Sequence, residues 1–169
     1  LVMARISELY QRSHDIDWFS KVGDIYVHAM SFGGLLPDAI NDWDLLRSVF
    51  RKAYRIAPSV QNSFVYNNSY INTRLSDQYK ELRADNEEQQ EMIKNRYLHH
   101  FKEMAYRGFC SFDRDLLDEN MYHLIVRPES PMKEWDIKLL TAEWPSMELV
   151  KAEDDNIIGF RIIREKNKN

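Results

Sequence analysis

The sequence predicts one α+β domain spanning residues 1–169, with a mostly antiparallel sheet built from hairpins and packed against two main helices, one of them long. Three observations lead there. Short segments of alternating apolar residues flank turn-forming pairs such as Gly23-Asp24. Two stretches, one before Pro58 and one after Thr73, repeat their apolar residues at helical spacing. The strands fall in neighbouring pairs and do not alternate strictly with helices, which favours antiparallel pairing.

Taken in order, Met3–Arg12 reads as a short helix, with Ile6, Leu9 and Tyr10 on one face. Trp18–Val22 and Ile25–Met30 read as a hairpin across Gly23-Asp24. Pro37 opens a helical segment that runs to about Ile56, with Asp38 or Asp42 as its cap, and Pro58 ends it. Its residues Leu45, Leu46, Val49, Phe50, Ala53 and Tyr54 share an apolar face. Ser59–Thr73 carries no charge; Asn67-Asn68 is either a hairpin turn between Phe64–Tyr66 and Ser69–Ile71 or an irregular approach to the next helix.

That next helical stretch covers Thr73–Arg107, and Gly108 caps it. Its middle, Arg83–Glu91, is polar on every side, so it is either one projecting helix or two. Phe109–Phe112 and Met121–Arg127 are strands around the acidic loop Asp113–Asn120. Met132–Trp144 fits a strand or a helix equally. Met147–Ala152 and Ile157–Arg164 form a last hairpin, with Ile158, Phe160 and Ile162 toward the core, and Glu165–Asn169 is a polar tail.

Composition bounds the function classes. A chain of 169 residues that is 44% hydrophobic and 12% aromatic is long and apolar enough to bury a core without a staple. Its single cysteine, Cys110, excludes an internal disulfide and a thiolate-pair zinc site. No leader-like apolar segment is visible, and apolar runs fall far short of the ~20 residues of a membrane span, so a cytoplasmic location is expected. The net charge of −4 is uneven: ten basic against nine acidic residues over 1–84, thirteen against eighteen over 85–169. An acidic excess argues against general nucleic-acid binding.

Several side chains carry potential chemistry. His28 sits on a strand just before the Ser31-Phe32-Gly33-Gly34 loop, which makes His28 and Ser31 the catalytic candidates and Gly33 and Gly34 a candidate ligand cradle. The loop matches no phosphate-binding fingerprint, and a turn needing positive φ explains its glycines equally well. His14, Asp15 and Asp17 offer nitrogen and oxygen ligands within one connector. A second ligand cluster would have to close such a site, and spacing alone places none, so neither metal nor cofactor is expected. His99 and His100 point about 100° apart on their helix and cannot share a metal; His100 belongs to the packed seam and His99 to the surface. Cys110 and His123 could face each other across a hairpin. Asp113, Asp115, Asp118 and Glu119 form an acidic loop without calcium-loop spacing.

The charge-free Tyr/Asn/Ser segment and the long helix with a polar middle suggest docking, the helix onto a partner or onto its own copy, and a basic stripe could meet phosphates or an acidic partner. Arg47, Arg51 and Arg55, with Lys52 beside them, make a basic stripe on one helix face. Tyr66, Asn67, Asn68 and Tyr70 have the composition of adaptable binding loops. The expected function is therefore a non-catalytic interaction or regulatory role, with a protein partner or a homodimer. The rival is a small hydrolase or ligand-binding enzyme centred on His28 and the Ser31–Gly34 loop. A pocket and a carboxylate beside His28 would favour the rival; a flat exposed patch at Tyr66 and Tyr70 would favour docking.

Overall fold

The computed structural model describes residues 4–59, 61–137 and 143–164. It has a mixed α+β composition: four α-helices and a curled, mostly antiparallel seven-stranded sheet. Helix α1 (Glu8–Ser13) begins later than its apolar spacing suggests, because Ser7 caps it by accepting the Tyr10 N–H. Strands β1 (Asp17–Val22) and β2 (Ile25–Met30) form the expected hairpin, with Gly23 at φ +56° in the turn. A single 3-10 turn, Asp38–Ile40, separates Pro37 from α2 (Trp43–Tyr54). Of the two proposed caps, Asp42 serves: its Oδ1 accepts the Leu45 N–H at 2.9 Å.

The Asn67-Asn68 pair resolves as a helix start. Strand β3 (Phe64–Tyr66) pairs with a distant strand, and Asn67 caps α3 (Asn68–Glu81) by accepting the Tyr70 N–H. Ser69–Ile71 is thus helical, since an asparagine side chain that satisfies a free helix N–H competes successfully with a hairpin turn. The long polar-centred stretch is two helices. Arg83, at φ +51°, turns the chain after α3, and Asn86 caps α4 (Glu87–Tyr106) through the Gln89 N–H.

Strands β4 (Cys110–Arg114) and β5 (Met121–Pro128) pair antiparallel, as do β6 (Met147–Lys151) and β7 (Ile157–Ile162). The sheet order is β1-β2-β4-β5-β7-β6, with β3 also on β5. One pairing, β2 with β4, is parallel, because the chain crosses over through α2, α3 and α4 between them. Phe160 and Ile162 are buried as expected, but Ile158 is not. The ladder slips between Val150 and Lys151, so Lys151 pairs with Ile157 and Ile158 becomes the extra, outward residue. Residues 131–137 and 143–146 adopt no regular element; the rest of the ambiguous Met132–Trp144 stretch, the tail Glu165–Asn169 and Met3 lie outside the described residues.

The main core gathers Trp18, Phe19, Phe109, Phe112, Tyr122 and Phe160 with the inner face of α2. A smaller cluster packs Ile71 and Leu75 of α3 and Leu98, Phe101 and Ala105 of α4 onto Ile125 and Val126 of β5. No described helix is long and apolar enough to cross a membrane.

Candidate functional site

Strand pairing builds one row of polar side chains across the sheet. Phe19 lies opposite His28, so Asp17, two residues before Phe19, is the diagonal neighbour of His28 on the same face. His28 lies opposite Ser111 on β4. Helix α4 crosses this face, with Phe101 packed inward and His100 at the margin of its apolar stripe. Asp17, His28, Ser111 and His100 therefore converge from four elements.

The contacts centre on one oxygen. Asp17 Oδ1 lies 2.7 Å from His28 Nε2 and 2.5 Å from His100 Nε2. All three donor atoms fall within 4.8 Å of one another. His28 is also held from behind, its Nδ1 3.1 Å from Ser111 Oγ; His100 Nδ1 faces Glu103 Oε2 at 3.6 Å, beyond hydrogen-bond reach, and that oxygen accepts the Tyr54 hydroxyl. His28 is fully buried, whereas the side chains of Asp17 and His100 are 21% and 30% exposed, so the cluster opens to solvent on one side.

Proton bookkeeping at Ser111 shows what the arrangement can hold. Its hydroxyl has one hydrogen, which it donates to the Phe101 carbonyl at 3.0 Å. Nδ1 of His28 is then the donor to Ser111, and Nε2 of a neutral His28 aims a lone pair at Asp17. Two acceptors at 2.7 Å repel unless a proton or a metal cation lies between them. Burial pushes the His28 pKa down despite Asp17, which opposes a second proton on that ring. Burial would raise the Asp17 pKa, but the bond from His100, the largest of the opposing contacts, holds the carboxyl low; the Asp17 bond raises the pKa of His100.

The connector that carries Asp17 divides its ligands. His14 stacks on Tyr10 at 3.6 Å, and Asp15 Oδ1 accepts the Phe32 N–H, so only Asp17 joins the cluster. The other half of the site, which spacing alone could not place, comes from His28 and His100. His99 is on the surface beside Glu103, as expected.

Ser31 is buried and does not touch His28; its hydroxyl accepts the Ile16 N–H. The N–H groups of Ser31, Phe32, Gly33 and Gly34 donate to Ile16, Asp15, His14 and Ser31, so the loop is stitched closed on itself. Gly33 holds the positive φ, +76°, and Gly34 does not. Ser111, His28 and Asp17 do form a serine–histidine–aspartate chain, but Ser111 is fully buried under Phe101 and is no nucleophile.

The remaining candidates are engaged elsewhere. Cys110 does not face His123, which pairs with Asp113, and burial pushes its thiol up to about 12. Asp113, expected in the acidic loop, lies on β4 and takes Tyr97 and Arg74, while in the loop Asp115 takes His123, Asp118 takes Arg161 and Glu119 takes Arg12. Tyr70 stacks on His123 at 3.8 Å and Tyr66 packs edge-on to Phe64, so both are half-buried; Asn67 caps α3 and Asn68 is exposed at its start. Arg47, Arg51 and Arg55 are exposed along α2.

A shallow pocket of about 240 Å³ leads to Asp17, walled by Tyr10, Trp43 and Phe50 and edged by Arg47. Comparison with protein-family models, with curated proteins and with solved structures finds no match. The chemistry of the site therefore rests on its own atoms.

Proposed function

We propose that this protein is a metal-dependent enzyme, a small hydrolase in which Asp17, His28 and His100 hold one divalent cation. The observation that carries the reading is the meeting of two imidazole Nε2 atoms at a single carboxylate oxygen, with the buried His28 ring tethered through its other nitrogen to Ser111. Metal-binding histidines characteristically have that second tether, which fixes the tautomer and aims the lone pair. Cis ligands of a zinc-like ion stand about 3 Å apart, so small side-chain rotations admit one. Three protein ligands with an open side are the pattern of catalytic metal sites, where bound water becomes acidic enough to attack a substrate. Here Asp17 and His100 reach solvent, and the aromatic-walled pocket reaches the cluster at Asp17.

The interaction reading has weaker support, because Tyr66 and Tyr70 are committed to packing and form no flat exposed patch.

The test is calorimetric titration of chelator-treated protein with Zn(II) and Co(II). One equivalent should bind, Co(II) should show the absorption bands of mixed nitrogen and oxygen ligation, and His100→Gln should weaken binding at least tenfold. Absence of binding by either ion at millimolar concentration would overturn the proposal and leave a proton-sharing network in its place.

A further inference from the structure

The outer face of α2 carries an unbalanced charge. Arg47, Arg51, Lys52 and Arg55 line a groove of about 440 Å³, with Asp44 and Ser48 completing it. Among the described residues none of these four cations has a carboxylate within 4.0 Å, whereas Arg12, Arg74 and Arg161 all do. Like charges one helical turn apart repel. Four of them left unpaired in a protein of net charge −4 form a site waiting for counter-charge.

The groove adjoins the pocket that leads to Asp17, one of the three candidate ligands. Arg47 lines both the groove and the pocket at Asp17, its guanidinium 5.3 Å over the Trp43 ring. One ligand can therefore place negative charge along α2 and an organic end between Tyr10, Trp43 and Phe50, beside Asp17. Steps of four residues space the arginines about 6 Å apart along the helix, so the row extends for about 12 Å. A single anion cannot neutralise it, and guanidinium groups pair with phosphate oxygens in a two-pronged fashion. The acidic remainder of the protein repels a long polyanion beyond the patch.

We infer that the substrate is a small organic di- or triphosphate, whose phosphates lie on Arg47, Arg51, Lys52 and Arg55 and whose organic end enters the aromatic pocket at Asp17. This inference rests on the proposed site for its catalytic half, but the anion groove stands by itself.

The experiment is calorimetric titration with sodium tripolyphosphate, with ATP and with a dodecathymidine strand, at low and physiological salt, with and without Zn(II). Tripolyphosphate should bind without metal, and ATP more tightly because its base adds contact in the pocket. Arg51→Gln with Arg55→Gln should weaken both at least tenfold while leaving Zn(II) affinity and the melting temperature unchanged, and Trp43→Leu should remove the advantage of ATP. Metal binding without any tripolyphosphate binding would overturn the inference and spare the metal site; anion binding without metal binding would do the reverse. Tighter binding of the oligonucleotide than of ATP would also overturn it, and would assign the groove to single-stranded nucleic acid.

Discussion

The rings of His28 and His100 stand 5.2 Å apart and nearly perpendicular, and both present Nε2 to the same oxygen of Asp17 although they lie 72 positions apart in the chain. Such an arrangement links stability to metal. A ligand that binds only the folded protein, at a hundred times its dissociation constant, stabilises it by about 2.7 kcal/mol, which raises the melting temperature of a domain this size by roughly 5–10 °C. Zn(II) should produce a rise of that order in the wild type and none in Asp17→Asn. The asparagine amide can donate to a histidine lone pair, so Asp17→Asn should cost less stability without metal than Asp17→Ala, which leaves Nε2 of buried His28 without a partner at about 1–3 kcal/mol, its Nδ1 still bonded to Ser111. Thermal melts of the three proteins, with and without Zn(II), decide the matter.

The last strand offers a paired test of packing. Phe160 is fully buried, stacked on Tyr122 at 4.8 Å and edge-on to Phe112 and Trp18. Phe160→Ala should cost about 3–5 kcal/mol in urea unfolding. Ile158, turned outward by the slipped ladder, should tolerate alanine within about 0.5 kcal/mol. Equal costs at the two positions would contradict the register.

That contrast marks where sequence reasoning reached its limit. Local signals were legible: the Gly23-Asp24 hairpin, the Asp42 cap and the Gly108 terminus all follow from turn and cap chemistry within a few residues. A ladder slip at Ile158 leaves no trace in alternation, because the residue remains apolar. The site suffered more. The β1–β2 hairpin already sets Asp17 diagonally across from His28, but the arrival of His100 depends on the crossing of α4 and that of Ser111 on the parallel β2–β4 pairing, both long-range. The signal that could have found them is the odd placement of each polar group in an otherwise apolar element: His28 among Ile25–Ala29, and His100 beside Phe101.

The Ser31–Gly34 loop yields a prediction that separates its two glycines. Gly33 has φ +76°, and a Cβ there would come within 2.9 Å of the Arg12 carbonyl oxygen. Both the backbone and the neighbour are rigid, so Gly33→Ala should cost at least the roughly 1–2 kcal/mol of a left-handed alanine. Gly34 has no positive φ, so alanine there carries no left-handed backbone cost; its Cβ would displace the Arg114 side chain, which bonds the Phe32 carbonyl, and press on the Ser31 carbonyl oxygen at 3.1 Å. Gly34→Ala should therefore be the milder change. Equilibrium unfolding of both variants checks the order.

Asp113 supplies a pH dependence that can be assigned to one group. Burial pushes its pKa up to about 6, against the opposing pull of Arg74 and the Tyr97 hydroxyl, while in the unfolded chain it titrates near the ordinary aspartate value of 3.8. A carboxyl whose folded pKa is raised holds more protons folded than unfolded between those two values, so its contribution to stability falls as pH rises through that window. Below about 4 the contribution is complete; above about 6 it is gone, and the ionised group relies on Arg74 at 3.3 Å. The unfolding free energy of wild type relative to Asp113→Asn should therefore decline from pH 4 to pH 6 and stay level above it. Arg74→Met should move the upper limit of the window to higher pH, because the cation that favours ionised Asp113 is lost. A difference between wild type and Asp113→Asn that is flat over the whole range would mean that Asp113 is ionised throughout, with Arg74 prevailing over burial.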